Sequence, residues 1–254
     1  MHRLLIVCLL FVLLGATGCY YFRATQTPIP HILYTKQGPE PAKCLVIFLP
    51  GLKDTHKVFA KQNFITTGRQ ALPHLDMAAV DAHLRYYLKR IVFPRIIADI
   101  IEPAQQRGVT RFWVVGVSLG GFGALHFMRL HPELIDGVFV LAPFLGDEKL
   151  LQEIAEAGGP GQWRAENSRF AGEVGYDLWQ WLTANKDNPA IWQHVYLGYG
   201  TDDDFAPENG WLARMLPADH TWSLQGGHTW TVWKSLWQMF LRQRVLYPCP
   251  QRDS

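Results

Sequence analysis

The sequence predicts an α/β protein: a mostly parallel central sheet with helices on both of its faces. Three observations lead there. Short continuous apolar runs recur at 45–49, 112–117, 138–142 and 195–197. Such runs describe strands covered on both sides, whereas a half-exposed antiparallel strand alternates. Segments of helical period lie between and beyond them, at about 94–107, 119–131, 207–216 and 229–243. Strand alternating with helix builds a parallel sheet through crossover connections. Finally, 254 residues of which 48% are hydrophobic and 18% charged suffice for one large core. The net charge of +2 supplies no basic face for nucleic acid.

Residues 1–18 read as an export signal that stands outside the fold. His2 and Arg3 precede an apolar stretch over 4–14. A helix of that length spans roughly 16 Å, short of a hydrocarbon core of ~30 Å. The stretch runs into Gly15, Ala16, Thr17, Gly18 and Cys19. Small residues before a Cys resemble the lipobox of bacterial lipoproteins, although Ala16 stands where a branched residue or Leu is usual. The resemblance implies lipidation of Cys19 and anchorage to a membrane surface without a span. Tyr20, rather than Asp, in the next position implies the periplasmic face of the outer membrane. An ordinary cleaved signal, giving a soluble exported product, is the alternative.

Residues 19–30 read as a tether ending in Pro28 and Pro30, and 31–254 as the folded domain. A first strand is predicted over 31–36, a turn at Gly38–Pro41, and a weaker strand over 74–80. Residues 147–190 break the rhythm with a charged amphipathic segment, the Gly159–Gly161 break and an aromatic helix. That is too long for an ordinary connection and predicts a lid or small cap. Cys44 and Cys249 either pair or remain free thiols. No ligand spacing for a metal is present: His126 and His131 do not share a helical face.

The segment Gly116-Val117-Ser118-Leu119-Gly120 is a G-x-S-x-G pattern, with an apolar strand before it and a glycine-rich apolar helix after it. A chain that turns this sharply from strand to helix exposes the Ser118 hydroxyl, and a Cβ at either flanking glycine would collide. A serine hydroxyl needs a base to attack, and the base needs a carboxylate to orient it. Candidates follow in the order acid, then histidine. Gly200-Thr201 leads to Asp202, Asp203 and Asp204, and Gly226-Gly227 leads to His228 just before a helix. Only one of the three aspartates can face His228. Asp203 is preferred, Asp202 and Asp204 stay open, and Asp147 is an outside candidate. The backbone N–H groups of Leu119 and Leu52, the latter in the loop Pro50-Gly51-Leu52, are the candidate oxyanion donors.

Together GVSLGGFGAL (116–125), GTDDDF (200–205) and GGHTWTVW (226–233) resemble the α/β-hydrolase superfamily. They are most similar to its esterase-D-like branch, which includes feruloyl-type esterases and mycolyltransferases. The resemblance covers roughly 44–243. Its G-x-x-D-x-F pattern aligns the acid with Asp203, and its G-G-H-x-W-x-x-W ending matches His228, Trp230 and Trp233. Pro50-Gly51 replaces the His-Gly that many relatives carry. The insertion holds no substrate motif, so no acyl specificity is carried over.

Trp230, Trp233 and Trp237 share one helical face and are expected to pack on the sheet. Trp163, Trp179 and Trp181 in the insertion are better placed to contact substrate. The expectation is an exported serine hydrolase that cleaves small-molecule or lipid-like carboxylic esters, without a cofactor. An acyltransferase with the same three residues, or a non-catalytic binding lipoprotein on this scaffold, are the rivals.

Overall fold

The computed structural model of the chain describes residues 23–38 and 40–246. The segment predicted to be an export signal, Cys19 and Cys249 lie outside the described residues. Seven strands form one sheet: β1 (His31–Tyr34), β2 (Cys44–Leu49), β3 (Asp76–Val80), β4 (Arg111–Val117), β5 (Gly137–Leu141), β6 (Val195–Gly200) and β7 (Thr221–Leu224). Their spatial order is β1-β3-β2-β4-β5-β6-β7. Only β1 runs antiparallel to its neighbour; the other pairs are parallel.

The unbroken apolar runs follow from this two-sided burial. Leu45, Ile47 and Leu49 of β2 join one core layer with Val114, Val140 and Leu197. Cys44, Val46 and Phe48 point to the other, with Val115, Phe139 and Tyr196. Alternate side chains of one strand feed opposite layers, so each position must be apolar.

Among the helices of the described residues, six reach eight residues or more: α1 (Phe64–Ala71), α2 (Leu119–Leu130), α3 (Glu148–Glu156), α4 (Tyr176–Ala184), α5 (Ala206–Ala213) and α6 (Trp230–Arg242). The periodicity of the sequence does not indicate the first. Its Thr66-Thr67-Gly68 run is poor helix material, yet Gly68 is what lets it sit against Met77 and Trp237. The Trp237 indole N–H donates to Phe64 O at 3.1 Å, and the two rings stack. Short helices Val58–Lys61 and Leu84–Leu88 likewise lack a sequence signal. The segment predicted over 94–107 begins at Val92 and passes through a π-helical turn, Ile97–Ile101. Pro103 explains the opening: it offers no N–H to Asp99 O, and its ring crowds that carbonyl.

Residues 147–174 leave and rejoin the fold at one neck. Asp147 N–H donates to Val174 O (3.0 Å), and Val174 N–H returns to Asp147 Oδ2 (3.2 Å). Gly146 and Gly175, both at positive φ, lie so close that a Cβ on Gly175 would come within 2.4 Å of Gly146 Cα. Beyond the neck, α4 buries Leu178, Trp179 and Leu182 in the core layer that also holds Leu45. Cys44 is disulfide-bonded.

Candidate active site

The strand registers bring five loops to one edge of the sheet. Leu49 pairs with Gly116, Val117 with Leu141, Leu141 with Gly198, and Gly200 with Leu224. The carboxyl ends of β2, β4, β5, β6 and β7 are therefore level, where an open parallel sheet gathers its ligands.

Ser118 sits between β4 and α2 at φ 54°, ψ −115°. That is a left-handed value, costly for a residue with a Cβ, and surrounding packing must enforce it. The flanking glycines show how. A Cβ on Gly116 would lie 2.1 Å from Gly120 O, and one on Gly120 would lie 2.0 Å from Leu49 O. Strand, helix and neighbouring strand meet there at backbone distance. Ser118 N–H donates to Leu141 O (2.9 Å), which fixes the turn against β5.

Of the three consecutive aspartates, the fold turns Asp203 to His228. The imidazole Nδ1–H donates to Asp203 Oδ2 at 2.8 Å, and the Asp203 side chain is wholly buried while the ring is about one-third exposed. The other oxygen, Oδ1, accepts Phe205 N–H (2.9 Å). The two loops are joined by backbone as well: Thr201 N–H to Leu224 O (2.8 Å) and Asp202 N–H to Gly226 O (3.0 Å). A Cβ on Gly200 would lie 2.1 Å from Gly226 O, so only glycine allows that approach. Asp202 is exposed and accepts Thr201 Oγ1–H, Asp204 is exposed, and Asp147 ties the neck of the insertion.

Two aromatic edges hold the His228 ring, Trp233 at 4.7 Å and Phe205 at 4.9 Å between centroids. Phe205 also packs on Phe144 (5.8 Å), whose backbone N–H donates to Ser118 O (3.2 Å). Phe205 and Phe144 thus link the histidine to the serine turn. Sequence reasoning missed this role: Phe144 carries no signal, and Phe205 stands out only as part of the acid motif.

Leu119 opens α2, where an N–H has no acceptor within its own helix. Leu52 lies in the turn that Asp54 N–H closes on Gly51 O (3.1 Å). A Cβ on Gly51 would lie 3.6 Å from Ser118 Cβ, which places this turn directly beside the serine. Asp54 is a further residue that sequence reasoning missed. Its carboxylate accepts the Trp230 indole, tying the turn to the start of α6. Burial holds the Asp54 carboxyl above the usual carboxylate range, although the Trp230 bond and Lys61 draw it down.

Trp233 and Trp237 are buried in the sheet-facing layer, as expected, and Trp230 packs edge-on against Phe59 and Phe64. The insertion tryptophans correct the expectation. Trp163 and Trp179 are 3% and 0% exposed and serve the core. The Trp163 indole N–H donates to Glu153 Oε1 (3.0 Å), and Trp181 packs on Trp192. The tryptophan lining open space here is instead Trp211 of α5, against which Trp179 packs (5.7 Å). A cavity of about 660 Å³ lies between α3 and α5, beside Phe205 and Phe144. Among the described residues no three His, Cys, Asp or Glu side chains gather in a way that could hold a metal ion.

This arrangement of sheet, elbow and loop-borne histidine is the α/β-hydrolase fold. No family model and no curated protein matches the chain. Solved structures similar to it include a ferulic acid esterase at 15% identity, covering 83% of this chain and 89% of that one, with a TM-score of 0.57. FphF, a fluorophosphonate-binding serine hydrolase of Staphylococcus aureus, matches at 13% identity over 87% and 95%, with a TM-score of 0.59. The S-formylglutathione hydrolase FrmB from the same organism matches at 13% over 82% of each chain, with a TM-score of 0.55.

Proposed function

We propose that the protein is a serine hydrolase of carboxylic esters. The observation that carries this reading is the 2.8 Å bond from His228 to the buried Asp203, on the same sheet edge as Ser118 at φ 54°. With Nδ1 donating to Asp203, His228 Nε2 is left with a lone pair to accept a proton. Ser118 Oγ attacks the ester carbonyl carbon as its proton passes to Nε2, and the carbonyl oxygen becomes an oxyanion held by the Leu52 and Leu119 N–H groups. Collapse breaks the C–O bond to the alcohol, which takes the proton from Nε2. Water then attacks the acyl-enzyme, gives a proton to His228, and the released Ser118 recovers it. Asp203 stabilises the imidazolium in both halves. The chemistry draws on no cofactor. Fold-level likeness to a ferulic acid esterase and a fluorophosphonate-binding hydrolase supports the reaction class, at a distance that leaves the substrate open.

The test is a fluorophosphonate probe, which needs no choice of substrate. Wild type should gain one adduct, located on Ser118, and both Ser118→Ala and His228→Ala should lose it. Folded wild type that does not label sinks the proposal. A domain organisation accompanies this reading: 1–18 a signal, 19–30 a tether, and 31–254 the catalytic domain, its lid insertion narrowed from 147–190 to the segment 147–174 that shares one neck. Lipidation of Cys19 is tested by membrane fractionation, where Cys19→Ser should move the protein to the soluble fraction.

A further inference from the structure

Beside the serine site, the cavity between α3 and α5 has an unusual chemistry. Its apolar surface combines three rings, Phe144, Phe205 and Trp211, with the aliphatic Leu151, Ala155 and Pro207. Its ionisable groups are all acidic. Glu148 projects from α3, Asp204 follows the candidate catalytic acid, and Glu208 lies on α5; no Lys, Arg or His lines it. At about 660 Å³ it suits a small organic group rather than a single water or ion.

Glu208 sets this cavity apart from an ordinary acidic surface. The residue is 6% exposed, yet among the described residues its carboxylate meets no cation and bonds only to its own backbone N–H. A buried carboxylate left that way is costly, because desolvation is not offset by a partner. Burial pushes its carboxyl above the usual carboxylate range, and the nearby Asp203 charge adds to this. A cation entering the cavity would supply the missing partner. Aromatic rings stabilise the same charge through their faces, most effectively when water is excluded.

We propose that this cavity selects esters bearing an ammonium group, on either the acyl or the alcohol side, and that Glu208 is the residue that reads the charge. The inference rests on the ester-hydrolase reading, since it concerns the substrate of that same site. Esters carrying a free carboxylate would be rejected by the same three acids.

Two pairs of matched esters test it, each pair alike in shape and differing in charge. Choline acetate is paired with 3,3-dimethylbutyl acetate, and p-nitrophenyl 4-(trimethylammonio)butyrate with p-nitrophenyl 5,5-dimethylhexanoate. The charged member of at least one pair should have a kcat/KM at least about 10-fold higher. Glu208→Gln should bring that ratio near one, and Glu148→Gln, on an exposed helix face, should lower it several-fold. Reading the ratio within each variant cancels any general loss of activity. Equal rates within both pairs, or preference for the neutral members, overturn the proposal, as does a preference that survives in Glu208→Gln. Failure of the hydrolase reading itself looks different: neither p-nitrophenyl acetate nor any of the four esters is cleaved.

Discussion

Asp203 and His228 are 25 residues apart in sequence, and their side chains meet at 2.8 Å because β6 and β7 end level with one another. Their neighbours Asp202 and Asp204 leave the same loop in other directions. Asp203→Asn should therefore lower kcat/KM for p-nitrophenyl acetate by about 10³–10⁴-fold, the loss associated with a misoriented catalytic imidazole. Asp202→Asn and Asp204→Asn should stay within a few-fold. Comparable losses in all three would mean that the loop, rather than one carboxylate, is required.

Backbone contact at the elbow gives a stability test. Alanine ordinarily favours a helix over glycine by about 1 kcal/mol. At Gly120 the added Cβ would meet Leu49 O at 2.0 Å, so Gly120→Ala should destabilise by about 3 kcal/mol or more. Gly51→Ala adds a Cβ in ordinary contact, 3.4 Å or more from its neighbours, and should keep the urea midpoint close to that of wild type. Urea denaturation of both variants decides the matter.

Glu153 organises the insertion. It accepts the Trp163 indole (3.0 Å), the Arg169 backbone N–H (2.9 Å) and Arg169 Nε (3.3 Å). Burial alone would raise its carboxyl, but the bonds from Ser168, Trp163 and Arg169 outweigh it and hold it down at about 2. A depressed acid contributes stability above its ordinary value, and that contribution disappears only as pH falls toward about 2. Glu153→Ala should speed proteolysis within 157–174 at pH 4 as well as at pH 7. Unchanged cleavage at both would remove Glu153 from this role.

His126 contributes acid sensitivity. Burial first, and then the Arg129 charge, lowers its imidazole to about 3, and its ring packs on Phe122 at 4.3 Å. The folded state refuses a proton that the unfolded chain accepts, so stability falls as pH drops from about 6.5 toward 3. The slope from one such group approaches about 1.4 kcal/mol per pH unit. His126→Phe should flatten the stability profile between pH 6 and 4. A profile parallel to that of wild type would refute the assignment.

Much of the fold is legible in the amino-acid sequence. The two-sided burial of β2, β4, β5 and β6 is written in their apolar runs, because a strand covered on both faces has no place for a polar residue. The elbow is legible for a related reason: at Gly116 and Gly120 an added Cβ would fall about 2 Å from backbone oxygens, so only glycine fits, and the G-x-S-x-G spacing is the trace. Helix α1 is not legible, since its stability comes from Phe64 and Trp237 meeting across 173 residues, a contact that local propensity does not register.

Strand–helix order, the serine turn and the histidine in its glycine loop were all readable along the chain. Each of these is a local backbone requirement, and local requirements restrict residue type where they occur. Tertiary structure decided which aspartate faces His228, since three adjacent residues on one turn differ only in direction. It also decided that Trp163 and Trp179 serve the core, and that Trp211 and Glu208 line the cavity. Those outcomes depend on how α3, α4 and α5 pack on one another, which no spacing along the chain records.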